Sequence, residues 1–452
     1  GSACCRGLAH AAGVGGNVFG PLLLSRPETN FSLFFIILDC CKIRIIGKMY
    51  SILNAGDAFS PEGLGLNMRN TYILLFSLYW AQGLPVGFMT HALPVILRAE
   101  GVSLAHIGGF GLLMLPWSIK IFWAPWVDRY GKKSQGHYRS WIIPLQWLSV
   151  AVLIGLSFLP IQALNQPLYL LLFFITLLLM NGIGATQDIA TDALAVNILK
   201  NEQQHWGNTF QVIGSRLGFI VGGGAILWLL DLLQWQATFL LLAALVFLNT
   251  LPILFFREPQ HSKIITPADK GPALSNIKTY FQYFWSDLSL ARWLLVLLTF
   301  KIADGLSGPL LKPLMVDLGL SFSQIGLYIT MLGAFAALIG AGLAGWCLKY
   351  WSRSSSLIIF SILKILSLMA YAWLATQYEA QNKVQNWMIY LVNAAEDMIS
   401  AMLLVVMLTL VMQYSRKHLA GTDFTFQVAL MATVSGGLYS LSGIFGDALG
   451  YQ

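Results

Sequence analysis

The chain has 452 residues, of which 57% are hydrophobic and 10% charged. Soluble proteins carry about 25% charged residues, so the composition excludes a water-soluble globular protein and places this one in the lipid bilayer. The formal net charge of +7 then reflects basic loops at one membrane face and not nucleic-acid binding, and the five cysteines have neither disulfide-framework nor metal-site spacing.

Residues 1–67 carry none of the pattern that follows and are expected to be an unmatched extension, disordered or non-native. Their apolar run Phe31–Ile46 is short, contains Asp39 and is not expected to span. A spanning helix needs about 20 mostly apolar residues. Eleven segments qualify: 71–97, 106–126, 141–160, 167–196, 205–230, 236–256, 293–316, 322–349, 355–376, 386–413 and 424–447. Met68 leads into the first and is expected to be the natural start, with Met49 a second candidate. The polar stretch 257–292, a cytoplasmic linker with Arg257, Lys263, Lys270, Lys278 and Arg292, separates a first half (68–256, six segments) from a second (293–452, five segments). With the N-terminus inside, the inside loops hold Arg69; Arg129, Lys132, Lys133 and Arg139; Lys200; the linker; Lys349 and Arg353; Arg416 and Lys417. The outside loops hold only Arg98, Lys312 and Lys383. This bias puts the start of the first segment in the cytoplasm.

The halves share phrases. Glu100-Gly-Val-Ser-Leu-Ala-His-Ile-Gly108 resembles Leu318-Gly-Leu-Ser-Phe-Ser-Gln-Ile-Gly326, and Thr209-Phe210-Gln211-Val212 recurs as Thr425-Phe426-Gln427-Val428. Two related apolar halves are how many secondary transporters are built, with the solute site between them. A six-plus-six arrangement needs one more helix, so the twelfth is expected to be missing from this chain.

Ionisable residues within hydrocarbon cost several kcal/mol, roughly, and are functional candidates by default. Arg216 falls near the middle of the fifth segment. Lys301 and Asp304 share one face of the seventh through their i,i+3 spacing. Asp188 and Asp192, at i,i+4, share a face of the fourth, and Glu396 and Asp397 interrupt the tenth. Static ion pairs such as Lys301–Asp304 are the bland alternative. Lys120 and Lys364 are expected to snorkel to the inner surface. In the first segment Gln82 is a polar contact near the midplane, and Pro85 is expected to kink the helix and expose backbone carbonyls. The fifth segment's glycines (Gly214, Gly218, Gly222) read as close helix packing. Trp80, Trp117, Trp123 and Trp126 are candidates for stacking on an aromatic ligand or for the interfacial belt.

Phe122-Trp-Ala-Pro-Trp-Val-Asp-Arg-Tyr-Gly-Lys-Lys133 resembles the loop signature of the major facilitator superfamily, matching at Asp128, Arg129, Gly131, Lys132 and Lys133. The resemblance implies an all-α integral membrane fold of two pseudo-symmetric six-helix halves. It also implies a cytoplasmic gate at Asp128, Arg129, Lys132 and Lys133. It further implies a cavity lined by the first, fourth, seventh and tenth helices, which would turn Asp188, Asp192, Lys301, Asp304, Glu396 and Asp397 to water or solute. Gln82-Gly-Leu-Pro85, Ile107-Gly108, Lys120-Ile-Phe-Trp-Ala-Pro125 and Thr186-Gln-Asp-Ile189 resemble the AmpG-type permeases. At Ala92–Arg98, Gly136–Trp141 and Ile189–Val196 the chain looks closer to a smaller branch of that group, the siderophore-uptake permeases of the rhizobactin and pyochelin type, which makes that branch the expected nearest group.

These features give the expectation of a proton-coupled importer of a siderophore or ferric siderophore, working as a monomer in a bacterial inner membrane. Arg216 and Lys301 would meet the anionic solute, and Asp304 or Glu396 would carry the proton. Muropeptide import is the alternative, acetyl-coenzyme A carriage a more distant one, and a non-transporting receptor the reading from another class. No nucleotide loop, metal-ligand cluster or nucleophile–base pattern points to an enzyme or a cofactor.

Overall fold

In lipid a backbone has to satisfy its own hydrogen bonds, which a long apolar segment does by forming a helix. The computed structural model describes residues 68–100, 102, 110–132, 136–159, 164, 166–259, 282–321 and 324–449. The expectations for residues 1–67, for most of the Glu100–Gly108 repeat, for Lys133 and for most of the linker lie outside them. Among the described residues, each predicted segment overlaps one helix.

The helix α1 (68–99) runs as Met68–Gly87, a π turn Phe88–Ala92 and Leu93–Ala99. The π turn follows Pro85, whose ring removes a donor from the ladder, and Thr90 Oγ1 donates to the Val86 carbonyl at 2.8 Å. Short pieces make up α2 (110–129): Phe110–Met114, Leu115–Ile119, Lys120–Phe122 and Ala124–Arg129. Then come α3 (Arg139–Ser157) and α4 (Pro167–Ile198). Helix α5 (204–233) passes through a π turn, Ile220–Ala225, at its glycine run, and α6 (Gln234–Phe255) begins at the left-handed Gln234, φ 61°. Helix α7 (288–317) is broken at Lys301, φ −98° and ψ 5°, into Leu288–Phe300 and Ile302–Asp317. A π turn, Ile325–Met331, opens α8 (325–350) before Leu332–Tyr350. The last three are α9 (Arg353–Glu379), α10 (Asn386–Tyr414) and α11 (Ala420–Leu449).

Seven of these, α1, α3, α4, α6, α8, α9 and α10, are long and apolar enough by length and composition to cross a membrane. The remaining four have interruptions or polar faces: α2 and α7 are broken, while α5 and α11 carry the repeated Thr-Phe-Gln-Val and several charges.

Asn70–Gln452 forms one compact unit. Within its first six helices, α3 packs on α4 and α6, and the π turns of α1 and α5 meet. Here a Cβ on Gly218 would come within 2.5 Å of Gly83 Cα, so the glycines let two backbones touch, the packing role expected of them. An aromatic core of Phe88, Phe110, Phe173, Trp235 and Phe239 fills this half. In the other, α8 and α9 pack on α10 and α7 packs on α11, around Met315, Leu374 and Ile389. Across the halves α2 and α4 meet α11, and α5 meets α8 and α10.

One corner shows how helix ends are tied. Glu258, beyond α6, accepts the backbone N–H groups of Tyr138 and Arg139 at 3.3 and 2.9 Å. Arg139 in turn donates to the carbonyls of Ile253 and Leu254 at 3.1 and 2.9 Å. An anion thus sits at the N-terminus of α3 and a cation at the C-terminus of α6, where each dipole favours it.

Candidate functional site

The break at Lys301 starts a second helical piece whose first turn carries Asp304. Lys301 Nζ reaches Asp304 Oδ2 at 2.5 Å, and Lys364 Nζ, from α9, reaches Asp304 Oδ1 at 2.8 Å. Lys364 also pairs with Glu396 of α10 and donates to Ser400 Oγ at 2.6 Å. The result is a chain of alternating charge, Lys301–Asp304–Lys364–Glu396, with two cations and two anions. Its ends differ: the Lys301 and Asp304 side chains are 30% and 26% exposed, those of Lys364 and Glu396 10% and 11%. Lys364 therefore does not snorkel as expected. Two carboxylates in the bundle interior satisfy it where it stands, which is the alternative to stretching towards a surface.

Asp397, next along α10, accepts from Asn393 Nδ2 at 2.9 Å and lies against Gly333 of α8. Asn393 is held by Tyr371 O–H at 2.8 Å and itself donates to the Ile329 carbonyl at 3.0 Å. Arg216, half-buried in α5, acts electrostatically on Asp397 across the two halves.

The first half holds a smaller counterpart. Lys120 of α2 pairs with Asp188 of α4 and lies 5.2 Å from the centroid of the Trp117 ring. With side chains 5% and 13% exposed, this pair too replaces the expected snorkelling. The Gln82 amide of α1 donates to Asp188 Oδ1 at 3.0 Å and accepts from Thr191 Oγ1 at 3.2 Å; the reverse orientation would turn its oxygen to a carboxylate. Asp192, one turn on and buried, accepts from Tyr79 O–H at 2.6 Å and from Gln211 Nε2 at 3.3 Å. Asp188 and Asp192 share the face that their spacing predicts, but one has a cation and the other neutral donors. Two of the four candidate stacking tryptophans are anchored to α4 through their indole N–H: Trp117 Nε1 donates to Asn181 Oδ1 at 2.9 Å and Trp123 Nε1 to Thr186 Oγ1 at 3.2 Å.

The loop signature resolves into one decisive carboxylate. Asp128 is buried at the end of α2 and accepts the backbone N–H groups of Gly421 and Thr422 at 2.9 and 2.7 Å. It also accepts the Thr422 hydroxyl at 2.7 Å and the Tyr138 hydroxyl at 2.9 Å. A side chain of the first half thus caps the first turn of α11 in the second. Burial pushes its pKa up to about 6, against the pull of these four donors. Arg129 is half-buried, and Lys132 is exposed with its backbone N–H on Ser140 Oγ at 3.0 Å.

A second link between the halves was not expected. Arg353, at the start of α9, donates to Gln413 Oε1 of α10 at 2.7 Å, to Gln204 Oε1 of α5 at 3.1 Å and to the Asn201 carbonyl. Sequence reasoning counted Arg353 only as a basic loop residue. The signal was its place after Lys349, which repeats in the second half the basic loop that follows Asp128.

Residues 71–231 match the family described as acetyl-coenzyme A transporter 1. Putative transporter AmpG 4 of Rickettsia conorii is 28% identical over 309 residues, covering 67% of this chain and 73% of that protein. The anhydromuropeptide permease of Escherichia coli strain K12 is 27% identical over 401 residues, 87% of this chain and 78% of that one. Among solved structures, the Major Facilitator Superfamily transporter FucP in its outward conformation aligns with a TM-score of 0.56 at 15% identity, covering 84% of this chain and 92% of that one. The chain has the major facilitator fold. It is an all-α, multi-pass membrane protein with AmpG-type permeases among its relatives. These relatives do not support the siderophore branch as its nearest group.

Proposed function

We propose that the protein is a secondary transporter that imports an anhydromuropeptide-class solute with protons, by rocker-switch alternating access, as a monomer in a bacterial inner membrane. The observation that carries transport is the pairing of two links between the halves, at Asp128 and Arg353, with an ion network in the interior. Links at one end are what a gate needs, since they break when the halves rock. With the basic loops in the cytoplasm, these links would hold the cytoplasmic side closed.

The solute class rests on the relatives' names. Anhydromuropeptides and acetyl-coenzyme A are both large, acidic and acetylated, so the alternative set out from sequence moves ahead of siderophore import. Arg216 suits a carboxylate, because a guanidinium presents a planar fork to it. Protonation of Asp304 or Glu396 would leave Lys364 and Lys301 in excess, and an anionic solute would then restore the balance. Solute and proton would favour each other's binding through the same two lysines. Gln82, Asp188 and Asp192 would line the first half's side of the pathway.

The test is uptake of radiolabelled anhydromuropeptide by cells lacking their own permeases, with ferric siderophore in parallel. Accumulation of the muropeptide that collapses with a protonophore is the expected result. Accumulation of the siderophore alone would return the protein to the iron-uptake reading, and movement of neither would contradict transport of both classes.

A further inference from the structure

Asp188 and Asp192 stand one turn apart on α4, with one contacting cation for two acids. Lys120 pairs with Oδ2 of Asp188, and the Gln82 amide donates to its Oδ1 at 3.0 Å. Both Asp188 oxygens therefore act as acceptors. Asp192 is 2% exposed. Its Oδ1 accepts from the Tyr79 hydroxyl and from Gln211 Nε2, and the Asp188 and Asp192 carboxyls hydrogen-bond to each other.

Two ionised carboxylates repel, and neither has a hydrogen to offer the other. A hydrogen bond between them exists only when one is an acid. The charge count agrees: with both ionised, Lys120 would leave one negative charge uncompensated in the bundle interior, an expensive arrangement. Gln211 points the same way independently. It is 9% exposed, and its Oε1 is without a hydrogen-bond partner among the described residues. Nε2 of the same amide lies 3.3 Å from Asp192 Oδ1, so the orphaned oxygen waits for a donor beside this carboxyl. An ionised Asp192 can only accept; a protonated one can donate.

Resting on the reading of the protein as a proton-coupled transporter, we infer that Asp188 and Asp192 form an acid pair holding one proton in common, carried on Asp192, and that this is a second transported proton beside that of the ion network. Asp192 takes the proton from the outer side, becomes the neutral acid, and returns to the carboxylate when it releases the proton to the cytoplasm. The charged and titratable groups facing the pair are Lys120 from α2 and Tyr79 from α1. Helix α5 brings the neutral Gln211, and α3 brings Gln146 and Ser149 to the same interior. From α11, Gly421 packs on Ile189 and Ala193 of α4, with Asp128 of α2 against it. An anionic solute beside the pair adds negative charge and so holds the proton in place; its departure lets the proton follow.

The first experiment needs no solute. Infrared difference spectra of the full chain in lipid nanodiscs at neutral pH, each variant subtracted from wild type, isolate the carbonyl stretch of a protonated carboxyl. Asp192→Asn has the shape of the neutral acid and should lose one such band. Asp188→Asn leaves Asp192 with Lys120 and no second carboxylate, so the band should be lost there as well. No band lost in Asp192→Asn would overturn the acid pair. A band kept in Asp188→Asn would make Asp192 a lone buried acid and overturn the sharing. Should one variant fail to fold, the other decides. The second experiment measures accumulation of anhydromuropeptide in proteoliposomes at a pH difference of one unit, where each coupled proton contributes about tenfold. Asp192→Asn should lower the wild-type accumulation about tenfold and keep net uptake. Asp304→Asn, in contrast, should stop net uptake, because the empty carrier then lacks the acid that balances its lysines. Unchanged accumulation in Asp192→Asn would overturn the second transported proton, and accumulation driven by a sodium gradient at equal pH would give the site to a metal cation instead. A wild type that moves no anhydromuropeptide would overturn the proposed function, whereas the infrared bands decide the acid pair without it.

Discussion

The two halves use the same helical plan for different chemistry. In the second, four charged side chains from α7, α9 and α10 form a balanced network that is partly exposed at Lys301 and buried at Glu396. In the first, Lys120–Asp188 is the one ion pair among the described residues, and Asp192 is held by the neutral donors Tyr79 and Gln211. The repeated glutamines show the same divergence. Gln427 accepts from Trp293 Nε1 at 2.6 Å and shares its own N–H groups among the Val411 and Asp423 carbonyls and Ser415 Oγ. Gln211 makes one long bond, to Asp192. A duplicated fold keeps its packing, and its polar positions are free to diverge: an ion network in one half, neutral donors around Asp192 in the other.

That division can be broken by mutation. The largest effect is expected from Asp304→Asn, which removes the acid shared by two lysines: gradient-driven accumulation should be lost while solute exchange continues. Lys364→Met strands Glu396 and leaves Asp304 with Lys301 alone, and should cost about 3–5 kcal/mol, as for other buried pairs that lose one partner. Its thermal transition in detergent should recover in Lys364→Met/Glu396→Gln. If Lys120→Met destabilises as much as Lys364→Met, the halves are not as unequal as proposed. Asp128→Asn places an N–H where Gly421 and Thr422 already donate, and should weaken closure of that end by about 1.5–3 kcal/mol. Spin labels across the basic end would show a larger open fraction.

Acidity acts on the same link. Burial against α11 pushes the Asp128 pKa up to about 6, and a carboxyl returned to solvent by opening of the link would regain its ordinary value of 3.8. The closed arrangement therefore binds more protons between these values. Its contribution is full below 3.8 and is lost as the pH rises through 6, so lowering the pH from 7 to 5 should favour closure by about 1 kcal/mol. Asp128→Asn should remove that dependence. The smallest difference is expected between the repeated glutamines: Gln211→Leu should cost about 1 kcal/mol and Gln427→Leu more, because it strands several partners.

The helices were legible because a bilayer demands about 20 apolar residues of each, and Asp188, Asp192, Asp304, Glu396 and Asp397 stood out as charges where charges are expensive. Their partners were not legible. Lys120 lies 68 positions from Asp188 and Lys364 lies 32 from Glu396, so each lysine judged by its own depth looked like a snorkelling residue. The break at Lys301 was not read from the sequence, although the residues that follow it, Asp304, Gly305, Ser307, Gly308 and Pro309, are poor helix formers. Asp128 was found through its loop signature, but the bases beside it drew attention away from its actual partners, the backbone N–H groups of α11. Backbone donors leave no mark in a sequence.

The measurement that bears most directly on the account is uptake of radiolabelled anhydromuropeptide into proteoliposomes with an imposed proton gradient, comparing wild type with Asp304→Asn. The expected result is gradient-driven accumulation in the wild type and exchange alone in the variant. Equal accumulation in both, or accumulation in the wild type that ignores the gradient, would contradict proton coupling through the second half's ion network.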